Sequence, residues 1–394
     1  MEGDREILRV LLSSPLPPPV GGIATWTKIL LGETRQYPNL QIKHVDSAVR
    51  WKSIVNRSHL LRLVGGSLQA LRDIGRVLVA IVRFRPHVLH LTSTAGYASW
   101  KDMVMMLLVW MFGTRGLIHY HTSRIAGYQR SRAWQWYATL LAMRLATAVV
   151  VLDSKTYACL RNVLPPQKLQ KIPNMIALNK IDELVLQTNM VAPARPHSQD
   201  VHLVFVGHVV AEKGLVEQVQ ACAQLEHVQL HIIGPAVGKF RGYLEHLAQS
   251  RQGGQWLHFY GSVEHEEAWY HILCSDILLL PSHDEAFPNA LLEGMALAKP
   301  VVVSNVGAMT EMIDADHGHP CGICVEPGNV ESLRAGLTSL LARPESWQGL
   351  GRTGRKRVET LYATAPVMKQ LIGLWTAMAC GDLSHRPGIG TDYN

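Results

Sequence analysis

Short apolar, β-branched runs recur along the chain, each followed by a longer segment whose apolar positions have helical spacing. In the first half the runs are "ILRVLLSS", "HVLHLTS", "GLIHYHTS" and "AVVVLDS", with a helix expected from about residue 23. In the second half they are "VHLVFVG", "VQLHIIG", "WLHFYG", "DILLLPS" and "PVVVSN". Continuous apolar runs of strand length are buried on both faces, and strands separated by helices form parallel sheets. The pattern therefore predicts an α/β chain with two doubly wound, Rossmann-like domains. Between the two series, "QTNMVAPARPHSQD" has the Pro, Ala and polar composition of a linker, and "GDLSHRPGIGTDYN" closes the chain as a disordered tail. The expected division is 1–184, a linker at 185–200, a second domain at 201–352 and a tail at 381–394.

Composition agrees with that reading. At 394 residues, 47% apolar and 18% charged, the chain is long enough for two cores and too apolar for a disordered protein. Its longest apolar stretches, around "MVMMLLVWMF" and "ATLLAMRLATAVVVL", are short or broken by Arg144, whereas a membrane span needs about 20 residues. Six scattered cysteines and no signal peptide point to reduced thiols inside the cell. The net charge of +7 is unevenly placed: residues 1–180 hold 24 Lys/Arg against 8 Asp/Glu, and residues 181–394 hold 14 against 23. The first half thus carries the positive charge and is expected to face something anionic.

In open parallel sheets ligands sit beyond the carboxyl ends of the strands, so the residues there are the candidates for chemistry. After the first strand, Gly21 and Gly22 in "SPLPPPVGGIATW" allow close backbone approach and open a helix whose free N–H groups suit an anion. "GLIHYHTSR" ends a strand with His119 and His121 on alternating sides. Lys213 in "HVVAEKG" stands just before a helix start, where it adds a cation to a terminus already suited to phosphate. In "EAFPNALLE", Glu285 belongs to a loop and Glu293 to the helix that Pro288 opens. Wholly helical, eight residues span about 12 Å, the scale of a sugar-diphosphate-ribose ligand. Glu293 would hold a ribose diol, Glu285 the sugar hydroxyls, and the helix-start amides the diphosphate. No G-x-G-x-x-G follows the first strand and no G-x-x-x-x-G-K-[ST] occurs, which disfavours a nicotinamide or ATP enzyme.

Together, "VGHVVAEKGL", "GSVEHEEAWYHILCSDILLLPSHDEAFPNALLEGMALAKPVVVSNVGAMTEMI" and "VEPGNVESLRAGLTSLL" resemble the family 4 retaining nucleotide-sugar glycosyltransferases of the GT-B fold. "PPPVGGIATW", "HYHTS" and "IPNMI" extend the resemblance over nearly the whole chain. It implies two Rossmann-like domains facing across a cleft, hinge closure, and a last helix, about 353–380, returning to the first domain. Glu293 would hold the ribose, Glu285 would sit at the transferred sugar, and Phe287 and Asn289 would border that sugar. Lys213 would bind the diphosphate, and His121 best matches the active-site histidine, with His119 as the register alternative. Two positions depart from the family pattern: His208 stands where an arginine is usual, and Ala286 where a glycine is usual.

The implied function is metal-independent transfer of a sugar, with retention, from a nucleoside-diphosphate sugar co-substrate to a glycan or lipid-linked acceptor, with no other cofactor. A non-catalytic binding or regulatory subunit, motivated by the missing arginine, and a nucleotide-sugar epimerase are the alternatives. Asp314 and Asp316 superficially resemble a metal-binding D-x-D, and His317, His319, Cys321 and Cys324 are of zinc-ligand types. Both groups fall where the family has only a variable turn. In "ALRDIGRVLVAIVRFRP", Arg72, Arg76 and Arg83 share one helical stripe and Leu71, Ile74, Leu78 and Ile81 line much of another. The expectation is a cytoplasmic protein docked peripherally on the anionic inner face of a membrane, not on nucleic acid.

Overall fold

The computed structural model describes residues 7–18, 21–49, 59–191, 200–236, 238–251, 255–316 and 318–382. The chain divides into two compact units, the first holding the chain up to Met175 and again from Thr364, the second Ile176–Ala363. The expected tail, from 383 onward, and the linker residues 192–199 lie outside the described residues.

The first unit runs β1 (Leu8–Ser14), α1 (Gly22–Glu33), β2 (Leu40–Asp46), α2 (His59–Phe84), β3 (Val88–Ser93), α3 (Ser99–Met111) and β4 (Arg115–Tyr120). It continues through α4 (Ile125–Ser131), α5 (Trp134–Leu145), β5 (Ala148–Val151), α6 (Ser154–Leu160) and β6 (Leu169–Lys171). Among the described residues its sheet has six strands in the order β2-β1-β3-β4-β5-β6, all paired in parallel. Every residue of β3 and β5 is buried, β5 as its unbroken apolar sequence requires of a strand covered on both faces, and β3 with His90, Thr92 and Ser93 buried beside its apolar residues. One face is covered by α2, α3 and α5 through Val77, Met105, Met106, Val109, Ala142 and Met143.

On α2 the packing stripe is Ala70, Asp73, Val77, Ala80 and Ile81, and Leu71, expected on it, is instead 59% exposed beside Arg72. Of the other expected positions, Ile81 is buried and Ile74 packs against the core, while Asp73 also turns inward. Gln69 donates to its carboxylate at 2.8 Å, and Lys101 pairs with it at 3.7 Å.

The second unit runs α7 (Leu178–Val191), β7 (Val201–Val206), α8 (Leu215–Cys222), β8 (Val228–Ile233), α9 (Phe240–Ala248), β9 (Leu257–Gly261) and α10 (His265–Cys274). It continues with β10 (Ile277–Leu280), α11 (Asn289–Ala296), β11 (Val301–Ser304), α12 (Met309–Met312), β12 (Gly322–Val325), α13 (Val330–Leu341) and α14 (Trp347–Arg357). Its strands, again six among the described residues, run β12-β11-β10-β7-β8-β9, all parallel. The division between units falls at Met175, earlier than the expected 184, because α7 packs with the second unit. Ile181 is fully buried there and Asp182 pairs with Arg355 at 2.9 Å.

The expected single helix at 353–380 is two. After α14 comes a π-helical turn, Val358–Tyr362, and an extended Ala363, and only then α15 (Thr364–Cys380), which joins the first unit. Pro366 explains the break, since inside a continuous helix its ring would clash with the carbonyl of residue 362, whereas a first turn tolerates it. Together with α1, α15 covers the second face of the first sheet through Trp26, Leu30, Leu371 and Trp375.

Candidate functional site

In the second unit the loops after β7, β10 and β11 converge at the carboxyl edge of the sheet. Lys213 ends a short 3-10 turn, Ala211–Lys213, followed by Gly214 at φ +68°. A Cβ on Gly214 would lie 2.0 Å from the Pro281 carbonyl oxygen, so only glycine lets this turn approach the loop after β10. The His283 N–H donates to the Glu212 carbonyl at 2.9 Å, and its ring Nε2 lies 3.0 Å from Glu217 Oε1. These contacts place Lys213 Nζ 2.6 Å from Glu285 Oε1, which also accepts from Ser282 Oγ at 3.1 Å. Gly307, after β11, has φ +53°, and a Cβ there would lie 1.9 Å from the Glu285 carbonyl oxygen. The Ala308 N–H donates to the Ala286 carbonyl at 3.0 Å. The loop bearing Glu285 is thus clamped from both sides. Its carboxylate and the Lys213 ammonium are 14% and 25% exposed, shielded yet reachable.

Pro288 is the N-cap of α11, extended at φ −72° and ψ 126°, so Asn289 is the first helical residue and Glu293 lies in the second turn. Glu293 is buried, and its Oε1 is 2.7 Å from His265 Nε2 at the start of α10. Phe287 is buried against Tyr362, their ring centroids 5.5 Å apart, so its ring is structural and only its backbone can border a ligand. His208 is exposed after β7, and its carbonyl accepts from the Val210 N–H at 3.0 Å. Sequence reasoning brought Lys213, Glu285 and Glu293 to one edge of the sheet. It missed Ser282 and His265, though the place of Ser282 immediately past a buried strand was a usable signal.

In the first unit His121 follows the end of β4, its N–H donating to the Ser93 carbonyl at 2.9 Å. His119 is fully buried, whereas His121 keeps part of its surface although its ring Nε2 is itself buried. The two rings are 4.2 Å apart, and Trp26 of α1 packs on both, each ring 5.2 Å from the indole. Gly21, extended, is the N-cap of α1. Trp26 therefore fixes the helix opened by Gly21 and Gly22 against His121. His90 completes the cluster, 5.4 Å from His119, with Trp375 donating to its Nδ1 at 3.2 Å. Burial, with repulsion from His121, pushes the His90 pKa down to about 3. Burial pushes His121 to about 3 against a hydrogen bond with Asn174, and His119 falls well below the usual range. All three are neutral near pH 7, so His121 can accept a hydrogen bond or orient a hydroxyl but brings no charge.

Of the metal-type motif, Asp314 pairs with Arg357 at 3.0 Å and Cys321 is fully buried beside the Ile313 carbonyl. Among the described residues no three His, Cys, Asp or Glu side chains are grouped to hold an ion, and His317 lies outside them.

Comparison with known proteins places this geometry. Residues 188–357 match the family Glycosyl transferases group 1. A glycogen synthase of Mycobacterium tuberculosis is 27% identical over 203 residues, 50% of this chain and 48% of that one. The chain spans about half the length of the curated relatives it matches. Among solved structures, a sucrose-phosphate synthase from Thermosynechococcus elongatus superposes with TM-score 0.73 at 19% identity, over 95% of this chain and 100% of that one. Anabaena HepE in complex with UDP superposes with TM-score 0.69 at 14% identity, over 94% and 100%. The chain has the GT-B fold, and most of its second unit is similar to the glycosyl transferases group 1 family.

Proposed function

We propose that the protein is a retaining glycosyltransferase that moves a sugar from a nucleoside-diphosphate sugar to a glycan or lipid-linked acceptor in cell-surface polysaccharide or glycolipid synthesis. The observation that carries this reading is the Lys213–Glu285 pair at 2.6 Å, beside the start of α11 and eight residues before the buried Glu293. An ammonium has three donors, and only one is spent on Glu285, so Lys213 can bind the diphosphate while still holding the carboxylate in place. Glu285 then meets the transferred sugar and Glu293 the ribose diol, exchanging its His265 contact for the diol or sharing it. As the glycosidic bond breaks, negative charge builds on the diphosphate, and Lys213 with the α11 amides around Asn289 stabilises it in a shielded site without a divalent metal.

His121, Gly21 and Gly22 are assigned to the acceptor side of the reaction and the donor phosphates, and exposed His208 to the outer edge of the diphosphate. UDP in the HepE complex supports a nucleoside diphosphate as the donor's leaving group. Among the described residues no helix is long and apolar enough to cross a membrane, which fits a peripheral protein on the inner face.

Glu293→Ala tests the donor assignment. Losing a hydrogen bond to a charged group costs about 1.5–3 kcal/mol, so the donor dissociation constant should rise roughly tenfold to a hundredfold. Calorimetry with the donor analogue reads this directly, and unchanged affinity would remove Glu293 from the site.

A further inference from the structure

Large apolar side chains stand exposed along one helical layer of the first unit. At the end of α3, Trp110, Met111 and Phe112 are 71%, 64% and 48% exposed. On α5, Trp134, Tyr137 and Leu141 form a single outward stripe, at i, i+3 and i+7. The third helix of the layer, α2, leaves Leu68, Val79 and Val82 outward as well. A water-facing layer does not need these residues, because the packing stripes of the same helices already fill the core.

Charge identifies what covers them. Arg72, Arg76 and Arg83 are exposed along α2 among the apolar positions, and Arg144 is exposed near the end of α5. Where α2 and α3 end, Arg85 and Arg115 line one depression with Ile81, Val82, Phe112 and Thr114. Two guanidinium groups flanking an exposed ring match a lipid phosphate lying above acyl chains. A second copy of this chain in a two-fold dimer would bring the same arginines face to face.

We infer that the outer face of α2, α3 and α5 inserts into the interface of an anionic bilayer, with Trp110, Phe112 and Trp134 at headgroup depth and the arginines on lipid phosphates. Tryptophan and tyrosine rings settle at that depth because one end is apolar and the other polar. The α2 arginines alone would give an attraction that salt abolishes, whereas insertion adds apolar burial that salt does not screen. The inference rests on the proposed peripheral location but not on turnover, so a chain that proved catalytically silent would leave it standing.

The test uses the full chain with vesicles of phosphatidylcholine alone or mixed with phosphatidylglycerol, in the wild type and in Trp110→Ser/Phe112→Ser and Arg85→Gln/Arg115→Gln variants. These side chains are exposed, and thermal melts confirm that each variant is folded. Wild type should cosediment with the mixed vesicles only. Binding should be weakened but retained at about 0.5 M salt, and brominated lipid should quench its tryptophan fluorescence. Each double variant should lose about tenfold or more in partitioning, the first through lost apolar burial and the second through lost charge pairing. Absence of cosedimentation, full loss of binding in salt without quenching, or unchanged partitioning of Trp110→Ser/Phe112→Ser would overturn the inference. So would a dimer in sedimentation that this variant dissociates.

Discussion

Replacing Lys213 with alanine is expected to lower kcat by about a hundredfold to a thousandfold, the usual effect of removing one preorganised donor from a developing negative charge. The ammonium lies 2.6 Å from the Glu285 carboxylate, so under the proposed assignment its loss withdraws charge where the diphosphate would leave. Stability should change little by comparison, because the pair is partly solvated and Ser282 still donates to Glu285. The contrast separates a catalytic role from a structural one: kcat at saturating donor should fall steeply while the thermal midpoint moves by a few degrees. Lys213→Arg should recover only part of the rate, since a planar fork does not replace a compact ammonium on the same turn. A kcat within threefold of wild type would remove Lys213 from the mechanism.

The first unit is expected to lose stability steeply on mild acidification. In the unfolded chain each histidine takes up a proton below about pH 6.5. In the folded unit His90 and His121 resist protonation down to about 3, and His119 lies well below the usual range. Their neutral burial therefore stabilises fully above about pH 6.5, and that contribution is lost as pH falls toward 3. Asp102 acts in the opposite sense. Burial raises it to about 6 against Lys101 and the Ser93 hydroxyl, so between about 6 and 3.8 the folded form holds a proton that the unfolded chain has released. Asp73, also raised by burial, adds to this opposition.

Three histidines against one full and one partial carboxyl leave the unfolded state ahead by about one to two protons. The slope is then roughly 1.4–2.7 kcal/mol per pH unit between about pH 6 and 4. Urea midpoints at several pH values measure it, and Trp26, packed on the cluster, reports through its fluorescence. His119→Phe should flatten the slope by about one proton's share. A midpoint constant from pH 7 to 4.5 would show that the cluster does not titrate on unfolding.

Buried strands were plain in the sequence where their residues are apolar without alternation: β5, β10 and β11 are buried at every position. The strands not anticipated lie at sheet edges. β2, "LQIKHVD", alternates partly buried and exposed residues, β6 has three residues, and β12 has four. An edge strand covered on one side needs only half the apolar positions, which makes it indistinguishable from a loop in a single sequence. The residues proposed for the donor were legible because Lys213, Glu285 and Glu293 each lie beyond the end of a strand. Their partners were less so: His265 reaches Glu293 from a different helix, a long-range contact that no local pattern encodes, whereas Ser282 is only three residues before Glu285. The outward face of α3 and α5 was hidden for a related reason. Apolar residues all round a helix read as core until the packing shows which side is covered.

The central claim, transfer from a nucleoside-diphosphate sugar, is tested by incubating the protein with a panel of UDP- and GDP-sugars and measuring nucleoside diphosphate release alongside any new sugar isomer. The account predicts that at least one donor releases its nucleoside diphosphate with wild type, and that Glu285→Gln suppresses the release without abolishing donor binding. Conversion of the donor to an isomer, or tight donor binding with no release across the panel, would contradict it.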